Sequence, residues 1–321
     1  MIRGLVIGKF LPIHNGHLAL IEFAAQHCDE VIVSMSFTDR DVIDSNLRFS
    51  WIQTIFKDRE SIKPTMIPDD FDDLSLPWHE RTQRWADVIS KVYPKIDALF
   101  SSEEYGEPFA RHLGATHYAF DPDRISLPVS ATLIRNSPLK YWSFIPRVVQ
   151  PYFVKRICFF GPESTGKTWM AKRMAEKFNT VFVPEVAREM LITNDFSIDD
   201  IERIGVAHHE RVLSKAQEAN RLLMCDTDAI TTAIYSHHYL SEVPTVLGEL
   251  EKKTTYDHYF LFDIDVPWVA DGLRDLGDKR REMFEIFRNA LLERKIPYTL
   301  VQGTYEEREA LCEQTIRDKF L

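Results

Sequence analysis

Cysteine is scarce. The 321 residues hold four, Cys28, Cys158, Cys225 and Cys312, with no Cys-x-x-Cys pair and no histidine beside them at zinc-ligand spacing. A disulfide scaffold and a structural zinc knuckle are thereby excluded. Cys158 and Cys225 sit inside apolar runs at 157–159 and 223–225, which predicts buried, reduced thiols and a reducing compartment. No stretch approaches the roughly 18 consecutive apolar residues of a membrane span. The N-terminus, MIRGLVIGKF, has no long apolar core followed by a cleavage site. The expectation is a soluble cytoplasmic protein without stable membrane association. Positive charge is also in deficit, with 39 Lys and Arg against 49 Asp and Glu, a net charge of −10. A protein that coats nucleic acid by bulk charge would be basic, so no nucleic acid is expected among the partners. Repeats and low-complexity tracts are missing, and 12 glycines with 16 prolines are too few for a collagen-like or disordered chain.

What is present is ordinary globular composition, 45% hydrophobic and 27% charged, at a length that predicts two domains. Strand-length apolar runs alternate with segments of helical period. Residues 2–7, 30–35, 97–100 and 117–120 read as strands, and 18–27 and 47–56 as helices. Near residue 138 the pattern breaks, and KYWSFIPRVVQPY (140–152) reads as a connecting helix and linker. A second alternation begins with the buried strand 154–160 and continues with strands at 180–183, 222–225, 258–264 and 298–301. The prediction is two successive α/β domains with parallel sheets, 1–152 and 153–321.

The first strand runs into Gly8-Lys9-Phe10-Leu11-Pro12-Ile13-His14-Asn15-Gly16-His17 and then a helix. Gly8 lets the chain leave the strand tightly, and the helix N-terminus offers free N–H groups to phosphate. His14 and His17, three residues apart, can both reach one triphosphate, and Lys9 adds a point charge. Far downstream, Ser130-Ala131-Thr132-Leu133-Ile134-Arg135 offers a second helix start: Ser130 as cap, Thr132 and Arg135 on the first turn. Trp85, in RTQRWADVI, reads as a core tryptophan on an amphipathic helix. Arg48 is either a contact for a substrate phosphate or a solvated helix arginine.

In the second half, strand 154–160 runs into Gly161-Pro162-Glu163-Ser164-Thr165-Gly166-Lys167-Thr168 and a helix, the phosphate-loop pattern in its strand–loop–helix context. The backbone from Gly161 to Gly166, with Glu163, Ser164 and Thr165, wraps the phosphates of ATP. Lys167 reaches the β and γ oxygens, and Thr168 ligates Mg²⁺. Asp226 ends the strand 222–225 and is the second expected Mg²⁺ ligand. Glu185 is the candidate base or ribose ligand on the strand taken to lie beside the phosphate-loop strand, or else a carboxylate favouring a helix dipole, and Arg188 is a further candidate for binding substrate. Asp228 touches substrate or caps the next helix. Arg274, in Asp271-Gly272-Leu273-Arg274, is the candidate transition-state arginine of a phosphate-closing lid, followed by the basic run 279–281, lid or solvated helix start.

The H-x-G-H and S-A-T-x-x-R motifs resemble those of the H-x-G-H nucleotidyltransferases, and among them the nicotinamide mononucleotide adenylyltransferases. Phe100-Ser101-Ser102-Glu103 and Asp121-Pro122-Asp123-Arg124 support the likeness, while Ala131 stands where many members have Ser or Thr. GPESTGKT, PEVARE, CDTDAITTAIYS and VPWVADGLRDLG are similar to the ribosylnicotinamide kinase domain of NadR-type proteins. The resemblance covers nearly the whole chain. It implies a Rossmann-like nucleotidyltransferase fold followed by a P-loop kinase fold. It also implies nicotinamide riboside, nicotinamide mononucleotide, ATP and NAD as ligands. The kinase would phosphorylate the riboside at its 5′-hydroxyl, and the first domain would adenylate the product to NAD. In the transferase, phosphate attacks the α-phosphorus of ATP in line, with His14 and His17 on the transferring group and Ser130, Thr132 and Arg135 on the leaving pyrophosphate. Trp85 falls where such enzymes carry an aromatic near the nicotinamide.

Some NadR-type proteins begin with a helix-turn-helix; here a strand begins at Ile2, and no operator binding is expected. A homo-oligomer is compatible with the sequence. Two other readings stay open: the same folds serving other acceptors, and a nucleotide-sensing regulator with one degenerate site.

Overall fold

Residues 1–150 and 151–321 form two separate compact units. The structure is a computed structural model, and it describes residues 1–193, 195–269 and 275–321.

In the first unit the described strands are β1 (Arg3–Gly8), β2 (Glu30–Phe37), β3 (Ile62–Pro68), β4 (Ala98–Ser101) and β5 (Thr116–Ala119). They pair in parallel in the order β3-β2-β1-β4-β5. Between them run α1 (Asn15–His27), α2 (Ser45–Phe56), α3 (Trp78–Val92) and α4 (Gly106–Leu113), and α5 (Ala131–Asn136) follows β5. Leu5, Ile32 and Leu99 of the three central strands bury against Ala86 and Ile89 of α3 and Phe109 of α4. β1 has β2 on one side and β4 on the other, so the order reverses at its C-terminal end, where open parallel sheets leave a crevice.

The sequence reading overlooked β3. Its strand Ile-Lys-Pro-Thr-Met-Ile-Pro carries two prolines, which a sheet tolerates at an edge, and β3 is an edge strand. The stretch 140–152 is not a free linker. A 3₁₀ turn at Trp142–Phe144 and the buried side chains of Trp142, Ile145 and Val149 pack it into the first unit. The short helix α6 (Gln150–Phe153) carries the chain past the division after Gln150.

The second unit's described strands are β6 (Lys155–Phe160), β7 (Val181–Val183), β8 (Leu222–Asp226), β9 (His258–Phe262) and β10 (Tyr298–Val301), all parallel in the order β10-β9-β6-β8-β7. The helices are α7 (Lys167–Lys177), α8 (Ala187–Met190), α9 (Ile198–Glu218), α10 (Ala229–Leu240), α11 (Thr245–Lys253), α12 (Arg280–Glu293) and α13 (Tyr305–Phe320). β6 is central and fully apolar at its end, with Cys158, Phe159 and Phe160 buried, so the loop that follows it emerges from the middle of the sheet. Ser197 with Asp200 and Thr304 with Glu307 form capping boxes that start α9 and α13. The four cysteines are free thiols, three of them buried. No helix among the described residues is long and apolar enough to cross a membrane.

Candidate active sites

α1 starts on its own histidines. His14 is the N-cap, and its Nδ1 accepts the N–H of Gly16 at 3.1 Å, while His17 Nδ1 accepts the N–H of His14 at 3.3 Å. Two imidazoles thus build the capping box that Ser and Glu usually make. Their rings stack with centroids 3.8 Å apart. With each Nδ1 engaged as an acceptor, the neutral ring carries its proton on Nε2. Burial, followed by the Arg124 charge, pushes His14 down to about 4, and burial, His14 and Arg124 push His17 well below the usual range. Both are neutral donors at pH 7.

The partner motif closes the same crevice from the other side. Ser130 caps α5 by accepting the Leu133 N–H at 3.2 Å. Arg135 donates to the Thr132 hydroxyl at 3.1 Å and to the Leu11 carbonyl, so the guanidinium bridges the two motifs. A cavity of about 430 Å³ is lined by Gly8, Lys9, Phe10, His14, His17, Ser130, Thr132, Arg135 and Trp85. Every transferase residue singled out from the sequence is there except Arg48.

Trp85 lies both in the packing of its helix and at the cavity wall. It packs edge-on against Tyr105 and Phe109, and it lines the cavity with its indole N–H donating to Asp72 at 3.0 Å. Arg48 satisfies neither of its two readings. It has no exposed surface and donates to the Ile43 and Lys9 carbonyls and to Asp41 at 2.6 Å. It braces the loop that carries Lys9 and does not reach the cavity. Lys9 is itself held 3.6 Å from Asp41 and 3.6 Å from Asp69, so its charge is shared with carboxylates. The sequence reading assigned no role to Arg124, Asp69 or Tyr105, all of which line the cavity. Arg124 had a visible signal, because it ends a D-P-D-R turn in which Asp121 accepts the backbone N–H groups of Ile125, Ser126 and Leu127.

In the second unit the loop after β6 turns through Gly161, whose φ of 134° and whose position 2.9 Å from the Phe262 carbonyl, measured from where a Cβ would stand, exclude other residues. Lys167 is buried, and its Nζ donates to the Pro162 carbonyl at 2.7 Å inside the loop. Burial lowers its pKa, against the pull of Asp226 and Glu185. The Thr168 hydroxyl donates to Asp226 Oδ2 at 2.5 Å, and Asp226 Oδ1 is buried with no partner among the described residues. Burial and then the Glu185 carboxylate raise Asp226 to about 6, opposed by Lys167. A hydroxyl and an orphaned carboxylate oxygen beside a phosphate loop are a hard-cation donor set that Mg²⁺ fits. Glu163 accepts the Leu276 N–H at 2.9 Å and Ser164 Oγ accepts the Val269 N–H at 2.8 Å, so the loop is tied to residues on both sides of 270–274.

A second cavity, of about 90 Å³, opens beside this loop. Glu163, Lys167, Glu185, Arg188 and Thr227 line its polar end, and Leu191, Phe196, Ile201, Ile204 and Tyr235 its apolar part. Glu185 holds Arg188 at 2.6 Å. Its strand, β7, is not the neighbour of β6, because β8 lies between them; the loop after β7 still delivers Glu185 to the cavity. Asp228 is a cap and does not line this cavity. It is buried, accepts the Thr231 N–H at 2.8 Å and the Tyr259 hydroxyl at 2.9 Å, and starts α10. Of the basic run, Arg280 is not a solvated helix start: it donates to the Val266 carbonyl at 2.9 Å and faces the Trp268 ring. Arg274 lies outside the described residues.

Residues 5–137 match the family described as cytidylyltransferase-like, and residues 156–308 the family described as AAA domain. The two sites and the two sheets define the class: a nucleotidyltransferase-type unit in tandem with a P-loop kinase-type unit. Over nearly its whole length the chain is similar to NadR proteins. It is 29% identical to the trifunctional NAD biosynthesis/regulator protein NadR of Escherichia coli (strain K12), over 98% of this chain and 82% of that protein. It shares its fold with the crystal structure of NadR protein in complex with NR, at TM-score 0.84 and 22% identity, over 99% of this chain and 96% of that one. A second crystal structure, of NadR protein in complex with NAD and AMP-PNP, matches at TM-score 0.81 and 22% identity over 98% of this chain and 95% of that one.

Proposed function

We propose that the chain makes NAD from nicotinamide riboside in two steps. The C-terminal unit transfers the γ-phosphoryl group of ATP to the 5′-hydroxyl of the riboside. The N-terminal unit joins the resulting mononucleotide to the adenylyl group of a second ATP and releases pyrophosphate. The observation that carries this reading is the convergence of two motifs more than a hundred residues apart on one cavity that also holds Trp85. The relatives support the choice of substrate, since the NadR structures hold NR in one case and NAD with AMP-PNP in the other.

In the transferase the mononucleotide phosphate attacks the α-phosphorus directly, and no covalent enzyme intermediate is required. His14 and His17 donate through Nε2 to oxygens of the transferring group, and the Ser130 helix start, Thr132 and Arg135 hold the departing pyrophosphate. Trp85 offers an aromatic wall to the nicotinamide. In the kinase, the Lys167 ammonium leaves the Pro162 carbonyl for the β and γ oxygens, and the backbone of 161–166 wraps them. Glu185 accepts the proton of the attacking hydroxyl or orients it, and Arg188 fixes that carboxylate. Thr168 and Asp226 would hold Mg²⁺, which neutralises developing phosphate charge when bound. Incubating the protein with nicotinamide riboside, ATP and Mg²⁺ should yield nicotinamide mononucleotide and then NAD; if neither forms, the proposal is wrong.

A further inference from the structure

A residue that borders the second cavity carries an unused polar atom. α9 presents Ile201, Ile204 and His208 on one face, at the three- and four-residue spacing of a helix, and all three line the cavity. His208 is only 6% exposed. Its Nε2 is buried without a partner among the described residues. A ring nitrogen in that state is costly unless something supplies a proton to it. The ring also borders a small void of about 10 Å³ on its His209 side, which has room for about one water at most.

We propose that His208 is a recognition residue of the kinase unit: its Nε2 accepts a hydrogen bond from a donor on the nucleoside that fills the cavity. The proposal rests on the reading of that cavity as the riboside site. Burial keeps the ring neutral, and the tautomer protonated on Nδ1 presents Nε2 as a pure acceptor. It therefore recognises a sugar hydroxyl or an amide N–H, and it gives nothing to a carboxylate, which has no proton to offer at neutral pH. The interaction discriminates by leaving a buried acceptor unpaired when the donor is missing.

The test is steady-state kinetics on the full chain with nicotinamide riboside, its 2′-deoxy and 3′-deoxy analogues, and the ring carboxylate analogue. His208→Leu should raise KM for the riboside about 10-fold, the size of one lost hydrogen bond. KM for ATP and the rate of NAD formation from the mononucleotide should stay within about twofold of wild type, because neither touches this nitrogen. His208→Gln, which can present an amide oxygen, should recover most of the loss, and the shorter His208→Asn should not. One analogue should already be poor for wild type and no worse for His208→Leu, which identifies the donor. A riboside KM unchanged in His208→Leu, or raised equally in Gln and Asn, overturns the inference. If His208→Leu also loses ATP binding, the Gln and Asn pair decides. A wild type that phosphorylates none of these nucleosides refutes the proposed function and the inference with it; an active wild type with an indifferent His208 refutes the inference alone.

Discussion

Among the described residues, Arg48 and Arg308 are the two largest side chains with no exposed surface, and they do the same job in different units. Arg48 takes the Lys9 carbonyl of the loop between β1 and α1. Arg308, on α13, takes the Thr165 carbonyl of the phosphate loop at 2.8 Å, the Gly303 carbonyl at 2.9 Å, the Asp263 carbonyl at 3.1 Å and the Asp265 carboxylate. Only a planar guanidinium with five donors satisfies so many acceptors at once. Arg308→Met should leave those acceptors unpaired. We expect a loss of about 3 kcal/mol in stability by urea unfolding, from the broken buried charge network. A higher kinase KM for ATP should accompany it, and Arg308→Lys should not restore either. Arg308 was invisible in the sequence because TYEEREALCEQ reads as an exposed helix start. Arg48 was visible but misread for the same reason: an arginine on an apolar helix face says nothing of which carbonyls surround it. His14, His17, Lys167 and Asp226 were legible because phosphate chemistry dictates both their types and their spacing.

At the scale of elements, the central strands β1, β6 and β8 were readable as continuous apolar runs, which is what burial on both faces requires. The edge strand β3 was not, because edge position releases the chain from that pattern. The packing of Trp142 and Val149 into the first unit was hidden by Pro146 and Pro151, which punctuate a sequence without saying what covers it. Helix starts were better marked. Asp228 begins α10, and its carboxyl is raised to about 6, chiefly by burial and against the hydrogen bonds from Thr231 and Tyr259. Asp228→Ala should cost about 1–2 kcal/mol of stability, the range for a lost cap. Thermal or urea unfolding measures it. The riboside KM should stay within about twofold, as expected of a residue that starts a helix and does not line the cavity. A large KM change would restore Asp228 to the substrate site.

At the scale of the whole molecule, a net charge of −10 is reconciled with anionic ligands by local concentration of donors. His14, His17, Arg124 and Arg135 gather on one cavity, and Lys167 and Arg188 on another. Each unit has its own sheet, its own strand-order reversal and its own loop leading from the central strand into a helix. On the proposed function, each unit runs one reaction by itself. The most direct measurement assays both half-reactions in Lys167→Ala and His17→Ala. Lys167→Ala should lower riboside phosphorylation by at least about 100-fold and leave conversion of the mononucleotide to NAD intact. His17→Ala should do the reverse. If either substitution abolished both half-reactions in a protein whose circular dichroism is that of the wild type, the assignment of one chemistry to each unit would be contradicted.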